Sequence, residues 1–222
     1  MKLGVVVFPG SNCDHDIYHV FKHQLGVDVE LVWHKATRMP QVDAVILPGG
    51  FSYGDYLRSG AIAAHSPIMG AVRRLAEAGA PVLGICNGFQ ILCESGLLPG
   101  ALLRNAGLRF ICKNVPMRVE RAAQPFTALY SPGETVAMTI ANFDGNYCAP
   151  AEVLDEIEAE KRVILRYVDN PNGSARNIAG LVNARGNVMG MMPHPERVSD
   201  PLLGPTDGFR LLRSLAAHAA GA

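Results

Sequence analysis

Short apolar, β-branched runs bounded by glycine or proline alternate with longer amphipathic stretches through the first half of the chain. That alternation predicts a parallel sheet covered by helices. Leu3 to Phe8, Val27 to Trp33, Ala44 to Leu47 and Pro81 to Ile85 read as strands, and Asp16 to Leu25 and Ile68 to Ala78 as helices. From about Leu108 the texture changes. Val115 to Glu120 and Glu134 to Ala141 alternate like antiparallel strands, Val163 to Val168 and Gly180 to Asn183 extend the sheet, and Asp207 to His218 reads as a closing helix. The expected fold is therefore one α/β domain spanning residues 1–222, a mixed and mostly parallel open sheet flanked by helices. No internal repeat, low-complexity tract or long linker divides it. Asn172-Gly173-Ser174 matches a glycosylation sequon but reads as a turn.

Composition narrows the class of ligand. Of 222 residues 49% are hydrophobic, enough for a full core, and 20 basic residues balance 20 acidic ones. Neither a nucleic-acid groove nor an anionic membrane surface is expected as a partner, which leaves a small molecule or another protein. The N-terminal apolar run ends at Pro9 and Gly10, too short for a signal peptide or a membrane span. The five cysteines are scattered without zinc spacing, so they are expected as reduced thiols in a cytoplasm, with no metal site.

One cysteine stands apart. Gly84-Ile85-Cys86-Asn87-Gly88 joins an apolar strand directly to a helix start, the thiol counterpart of a nucleophile elbow. The flanking glycines permit the sharp turn, and the helix N-terminus presents partial positive charge to a thiolate. Cys13, Cys93, Cys112 and Cys148 lack that setting and are expected to be core or surface residues.

A base follows near the C-terminus, in Pro193-His194-Pro195-Glu196-Arg197. Pro195 favours an extended segment here, and residues two apart in an extended chain point the same way. Glu196 could thus hold the His194 imidazole in one tautomer, as the third member of a triad does. Leu47-Pro48-Gly49-Gly50-Phe51 follows another strand and should reach the same carboxyl edge of the sheet. An amide of Gly50 or Phe51, with that of Asn87, could stabilise the oxyanion of a tetrahedral intermediate.

Leu47-Pro48-Gly49-Gly50, Gly84 to Gln90 and Pro193 to Glu196 together resemble the class I glutamine amidotransferases, whose triad is Cys-His-Glu. More narrowly, Phe8 to Asp14, Gly50 to Arg58, Asn170 to Ser174 and Gly190 to Arg197 resemble the small glutaminase subunits of bacterial phosphoribosylformylglycinamidine synthases, over essentially the whole chain. The resemblance implies a flavodoxin-like sheet. It also implies Cys86 as nucleophile, His194 and Glu196 completing the triad, Gly50 and Asn87 at the oxyanion, and Gln90 holding the substrate. Many relatives carry His-Gly-Glu-Gly where this chain has Ala141 to Tyr147, so Asn142 and Asp144 stand there as candidate substrate-binding residues.

By resemblance, glutamine is hydrolysed and the ammonia converts formylglycinamide ribonucleotide to the amidine in ATP-dependent purine synthesis. The chain has no G-x-x-x-x-G-K-[ST] loop, so ATP and magnesium are expected on a large synthetase subunit, alongside a third small subunit. The loops Gly50 to Arg58 and Ala141 to Tyr147 are candidates for a partner-driven gate. A related cysteine-elbow hydrolase or a non-catalytic module derived from an amidotransferase would also account for Cys86 alone. Neither requires Cys86, His194 and Glu196 together.

Overall fold

The computed structural model describes residues 1–122 and 125–221. The first unit runs β1 (Lys2–Val7), a helix α1 (Asp14–His19) that widens into a π turn at Val20–Gln24, then β2 (Asp28–Trp33) and β3 (Ala44–Leu47). Next come α2 (Pro67–Glu77), β4 (Val82–Ile85) and α3 (Asn87–Glu94). The second unit adds β5 (Ala101–Leu103), β6 (Ile111–Val119), β7 (Thr135–Asn142), β8 (Asn146–Cys148), α4 (Ala151–Ala159), β9 (Val163–Tyr167), β10 (Ile178–Val182), β11 (Val188–Met191) and α5 (Phe209–Ala219).

One sheet takes nine of these strands in the order β2-β1-β3-β4-β11-β10-β9-β6-β7. It is parallel from β2 to β11 and antiparallel from β11 to β7. The parallel half has the 2-1-3-4-5 order of a flavodoxin-like sheet, except that its fifth strand arrives only after the whole antiparallel wing has formed. Strands β3, β4, β10 and β11 are buried at every position, as continuous apolar runs covered on both faces must be. In β7 the buried residues Val136, Met138 and Ile140 alternate with more exposed ones, the period-two signature of a half-covered strand.

The first helix begins at Asp14 rather than Asp16, which brings Cys13 to its start. Three elements carried no signal in the hydrophobic pattern. The pair β5–β8 is three residues per strand, too short to show alternation, and α4 buries only Ile157. Among the described residues no helix is long and apolar enough to cross a membrane.

The sheet and α3 meet at glycines. A Cβ on Gly88 would stand 1.9 Å from the Leu47 carbonyl oxygen, and one on Gly84 2.6 Å from that of Gly88. Helix α3 therefore presses its first turn against the end of β3 with no room for a methyl group. Gly88→Ala is expected to cost about 1–3 kcal/mol or more of stability, because the obstacle is backbone that cannot rotate away. A urea titration reads this as a lower midpoint at constant slope, and an unchanged midpoint would mean that the contact relaxes.

Candidate active site

Four parallel strands end at one edge, and each delivers one piece of the site. β1 leads into Phe8 to Cys13, β3 into Pro48 to Phe51, β4 into Cys86 and β11 into Met192 to His194. Backbone hydrogen bonds tie these pieces together. The Cys86 amide donates to the Met191 carbonyl (2.7 Å), the Cys13 amide to that of Gly49 (3.2 Å) and the Phe51 amide to that of Gly10 (2.9 Å). The antiparallel wing closes the site from the other side: β7, last in the sheet order, accepts at its Thr139 carbonyl from the His194 amide (2.8 Å).

Cys86 sits between β4 and α3 at φ 50° and ψ −104°, a conformation unfavourable for a residue with a Cβ. It is buried, and its Sγ lies 3.8 Å from the Ala141 carbonyl oxygen at the end of β7. The turn holds the sulfur outward at the sheet edge, as the glycine spacing predicts.

His194 is extended (φ −102°, ψ 94°), but Glu196 is not: Pro195–Val198 forms a 3-10 turn. The expectation of a fully extended segment is corrected here, because proline's fixed φ also suits the first position of a helical turn. The Ser199 hydroxyl stabilises that turn by donating to the Glu196 carbonyl at 2.8 Å. The turn still returns the carboxylate to the ring, with Glu196 Oε1 2.5 Å from His194 Nδ1 and both side chains buried. Nδ1 is thus the protonated nitrogen facing Glu196. Nε2 has no partner among the described residues and is left for the cavity shared with Cys86. Burial disfavours a charged imidazole, but the negative charges of Glu196 and Cys86 outweigh it and hold the His194 pKa well above its ordinary value.

A cavity of about 150 Å³ is lined by Asn12, Gly50, Phe51, Cys86, Phe110, Cys112, Ala141, His194 and Arg197. It admits a small side chain rather than a nucleotide. A larger cleft of about 450 Å³, by His65, Arg73 and Glu94, lies away from the converging strand ends and holds no nucleophile.

Of the two amides expected at the oxyanion, Phe51's is spent on Gly10, whereas Gly50's has no protein acceptor among the described residues. Asn87 opens α3, so its amide is one of the first-turn donors that lack an intrahelical partner. The Asn87 side chain is structural: Oδ1 accepts from the Ser52 amide (3.2 Å) and Nδ2 donates to Gln90 Oε1 (2.9 Å). Gln90 Nε2 in turn donates to the Asp144 carbonyl (2.7 Å). Gln90, Asn142 and Asp144 are brought next to the elbow but do not line the cavity.

The stretch Ala141 to Tyr147 is not an exposed surface loop. Asn142 and Tyr147 are buried, and two neighbouring asparagines hold the turn between β7 and β8. Asn105 donates to the Asn142 carbonyl (3.0 Å) and accepts from the Gly145 amide (3.0 Å), while Asn172 donates to the Gly145 carbonyl (2.8 Å). The 51–58 loop differs. Tyr53, Asp55 and Leu57 adopt positive φ, and Tyr56 and Leu57 are exposed.

Sequence reasoning passed over Cys13 and Arg197. Cys13 is buried 3.9 Å from His194 Nδ1, and Arg197 Nη2 donates to its sulfur at 3.2 Å. Applying the carboxyl-edge rule to β1, as was done for β3, would have found it. Cys13, His194 and Glu196 place three donor atoms within 4.8 Å of one another. They suit a metal poorly. Glu196 and His194 are closer together than two ligands of one zinc, about 3.3–3.7 Å apart in a tetrahedral site, and the Arg197 cation already occupies the sulfur.

The arrangement can perform thiol-based acyl transfer: a cysteine on a strained elbow, a histidine oriented by a carboxylate, and Gly50 with the first turn of α3 beside one small cavity. A family model for the CobB/CobQ-like glutamine amidotransferase domain matches residues 1–207. The chain is 56% identical over 219 residues to the phosphoribosylformylglycinamidine synthase subunit PurQ of Rubrobacter xylanophilus, covering 99% of each. It is also 44% identical to a chain in the structure of PurLQS from Thermotoga maritima, at a TM-score of 0.90 over 98% of both chains. Another Thermotoga maritima protein, a glutamine amidotransferase, shares the fold at a TM-score of 0.66 and 15% identity, over 100% of this chain and 99% of that one. This chain belongs to the CobB/CobQ-like glutamine amidotransferase domain family.

A hydrogen bond ties the exposed loop to the β7–β8 turn, with two carboxyls facing each other beside it. Ser59 Oγ donates to Asp144 Oδ2 at 2.6 Å, and burial, with the charge of Asp144 added, pushes the Asp55 carboxyl up to about 6. A carboxyl raised on folding favours the folded state at low pH and loses that advantage as pH rises through its folded value. Asp55→Asn should therefore raise the melting temperature at pH 8 and change it little below pH 4. Thermal melts across that range check the sign.

Proposed function

We propose that this chain is the glutaminase subunit of a phosphoribosylformylglycinamidine synthase, hydrolysing glutamine to glutamate and passing ammonia to a synthetase. The observation that carries this reading is the shared cavity of Cys86 and His194, with Glu196 2.5 Å behind the imidazole. The Cys86 thiolate attacks the side-chain amide carbon, and the oxygen takes negative charge facing the Gly50 and Asn87 amides. Imidazolium His194 gives its Nε2 proton to the departing nitrogen, and ammonia leaves a γ-glutamyl thioester. Neutral His194 then takes a proton from water as it attacks the thioester, and glutamate leaves with the thiolate restored. The raised pKa suits the first half of this cycle, because the imidazole must be charged when the amide nitrogen leaves.

The 56% identical relative is named as a synthase subunit, which supports a synthetase partner; on this reading that partner holds ATP and magnesium and is joined by a third small subunit. The gate belongs to the 51–58 loop rather than to residues 141–147, since only the former combines exposed apolar side chains with a strained backbone.

Cys86→Ala should abolish glutamine hydrolysis while the assembled complex still amidates from free ammonium. Loss of both in a folded complex contradicts the division of labour. Glu196→Gln should lose less activity than His194→Ala, since the carboxylate orients the base without carrying its proton; steady-state kcat/KM gives the order. The chain alone should hydrolyse glutamine slowly and accelerate with synthetase, nucleotide and ribonucleotide. Equal rates with and without them would remove the gate.

A further inference from the structure

The thioester chemistry leaves one buried sulfur beside the base without a task. Cys13 lies at the end of the β1 loop, 1% exposed, and its surroundings fix it from three sides. Its thiol donates to Asn12 Oδ1 (3.2 Å), its sulfur accepts from Arg197 Nη2 (3.2 Å), and its backbone amide donates to the Gly49 carbonyl (3.2 Å). With its hydrogen committed to Asn12, the remaining face of the sulfur is an acceptor turned to His194 Nδ1 at 3.9 Å. The floor of the same socket is Gly49, where a Cβ would stand 2.7 Å from His194 Cε1 and 3.2 Å from the Cys13 sulfur.

We propose that Cys13 is a positioning residue for His194. Its sulfur forms the wall of a socket that holds the imidazole on Glu196 and directs Nε2 toward Cys86. Glu196 alone makes one contact to the ring, at one atom, and so fixes distance more than rotation. A polarizable sulfur at the same edge, itself clamped by Arg197 and Asn12, removes that freedom. The inference rests on His194 being the base.

The charged and titratable groups around the ring are few: Glu196, Cys86, Cys13, Arg197 and, from α1, Asp16. The single Nδ1 hydrogen is held by Glu196, with the Cys13 sulfur a weaker second acceptor at 3.9 Å, and both, together with Cys86, favour the protonated ring. Removing the sulfur therefore has a signature that loss of packing alone does not have: the titration midpoint of the ring falls.

The test uses the full chain assembled with its synthetase for kinetics, and the full chain with labelled histidine for NMR titration. Cys13→Ala is expected to lower glutaminase kcat at least tenfold with KM nearly unchanged, and to move the His194 midpoint down. Cys13→Ser, which keeps a small acceptor, should recover part of both. Wild-type kinetics and midpoint in Cys13→Ala would overturn the proposal, as would a rate loss with the midpoint unmoved, which describes packing only. Cys86→Ala run beside it separates the two readings. Activity surviving in that variant removes the underlying mechanism, whereas activity lost there and intact in Cys13→Ala removes only the role of Cys13.

Discussion

The constraint on which the site depends is the approach of α3 to the end of β3, with Gly88 against the Leu47 carbonyl. A strand that turns into a helix within one residue must reverse its backbone at that residue, and here the residue is Cys86 at positive φ. The strain is local, of order 1–3 kcal/mol, and the surrounding contacts over-determine it. Cys86 donates its amide to Met191, and its carbonyl accepts from the Phe89 and Gln90 amides. The same approach seats the first turn of α3 directly behind Cys86 and ties Asn87 to Ser52, just after Gly50 and Phe51. The proposed nucleophile and the proposed oxyanion donors thus both depend on one contact between backbones.

The base depends on a different part of the fold. β11 supplies the parallel partner of β4 and continues into His194, so its register against Val82 to Ile85 sets how far the imidazole extends beyond the sheet. The antiparallel wing then curls until its last strand meets that extension, at Thr139 and His194. A sheet that twists in one sense brings its far edge round without any special device. The wing's contribution is to cover the sulfur: the Ala141 carbonyl closes one side of Cys86, and Phe110 and Cys112, at and just before the start of β6, line the cavity.

What was legible in the sequence is what is written in consecutive residues. The elbow spells its geometry in five positions, and His194 and Glu196 stand two apart, so a local error about extended or turned backbone left their contact intact. The features that were not legible join residues far apart in the chain. Cys13 lies 181 residues from His194, and nothing in the spacing of either announces the other. Gln90 was expected to hold substrate by resemblance, and Asn142 as a candidate in the stretch that departs from the relatives, but α3 and the β7–β8 turn meet there. Gln90's amide is consumed in that meeting, while Asn142 is buried beneath it. Gln90 thus satisfies the nearest backbone, whereas Asn142 Oδ1 and Nδ2 are buried without a partner among the described residues, a difference that only the folded chain reveals.

The 51–58 loop, proposed as the gate, combines a fixed start with an exposed tip. At its start, Phe51 is pinned to Gly10 and Ser52 to Asn87, so the oxyanion end is fixed. Tyr53 hydrogen-bonds to His34 at 2.8 Å, which anchors the strained stretch to the sheet. Beyond that anchor, Tyr56 and Leu57 place apolar surface in water, while Asp55 and Ser59 face Asp144 in the turn below. A partner that covers Tyr56 and Leu57 gains apolar burial, and the displacement it drives can pass through Asp55 and Ser59 into the turn that also holds Gln90, as well as through Arg58, which pairs with Glu94 at the end of α3. The exposed contact and the first turn of α3 are therefore separated by two hydrogen bonds, Ser59 to Asp144 and Gln90 to Asp144. This is a short enough path for docking to alter the catalytic edge without disturbing the core.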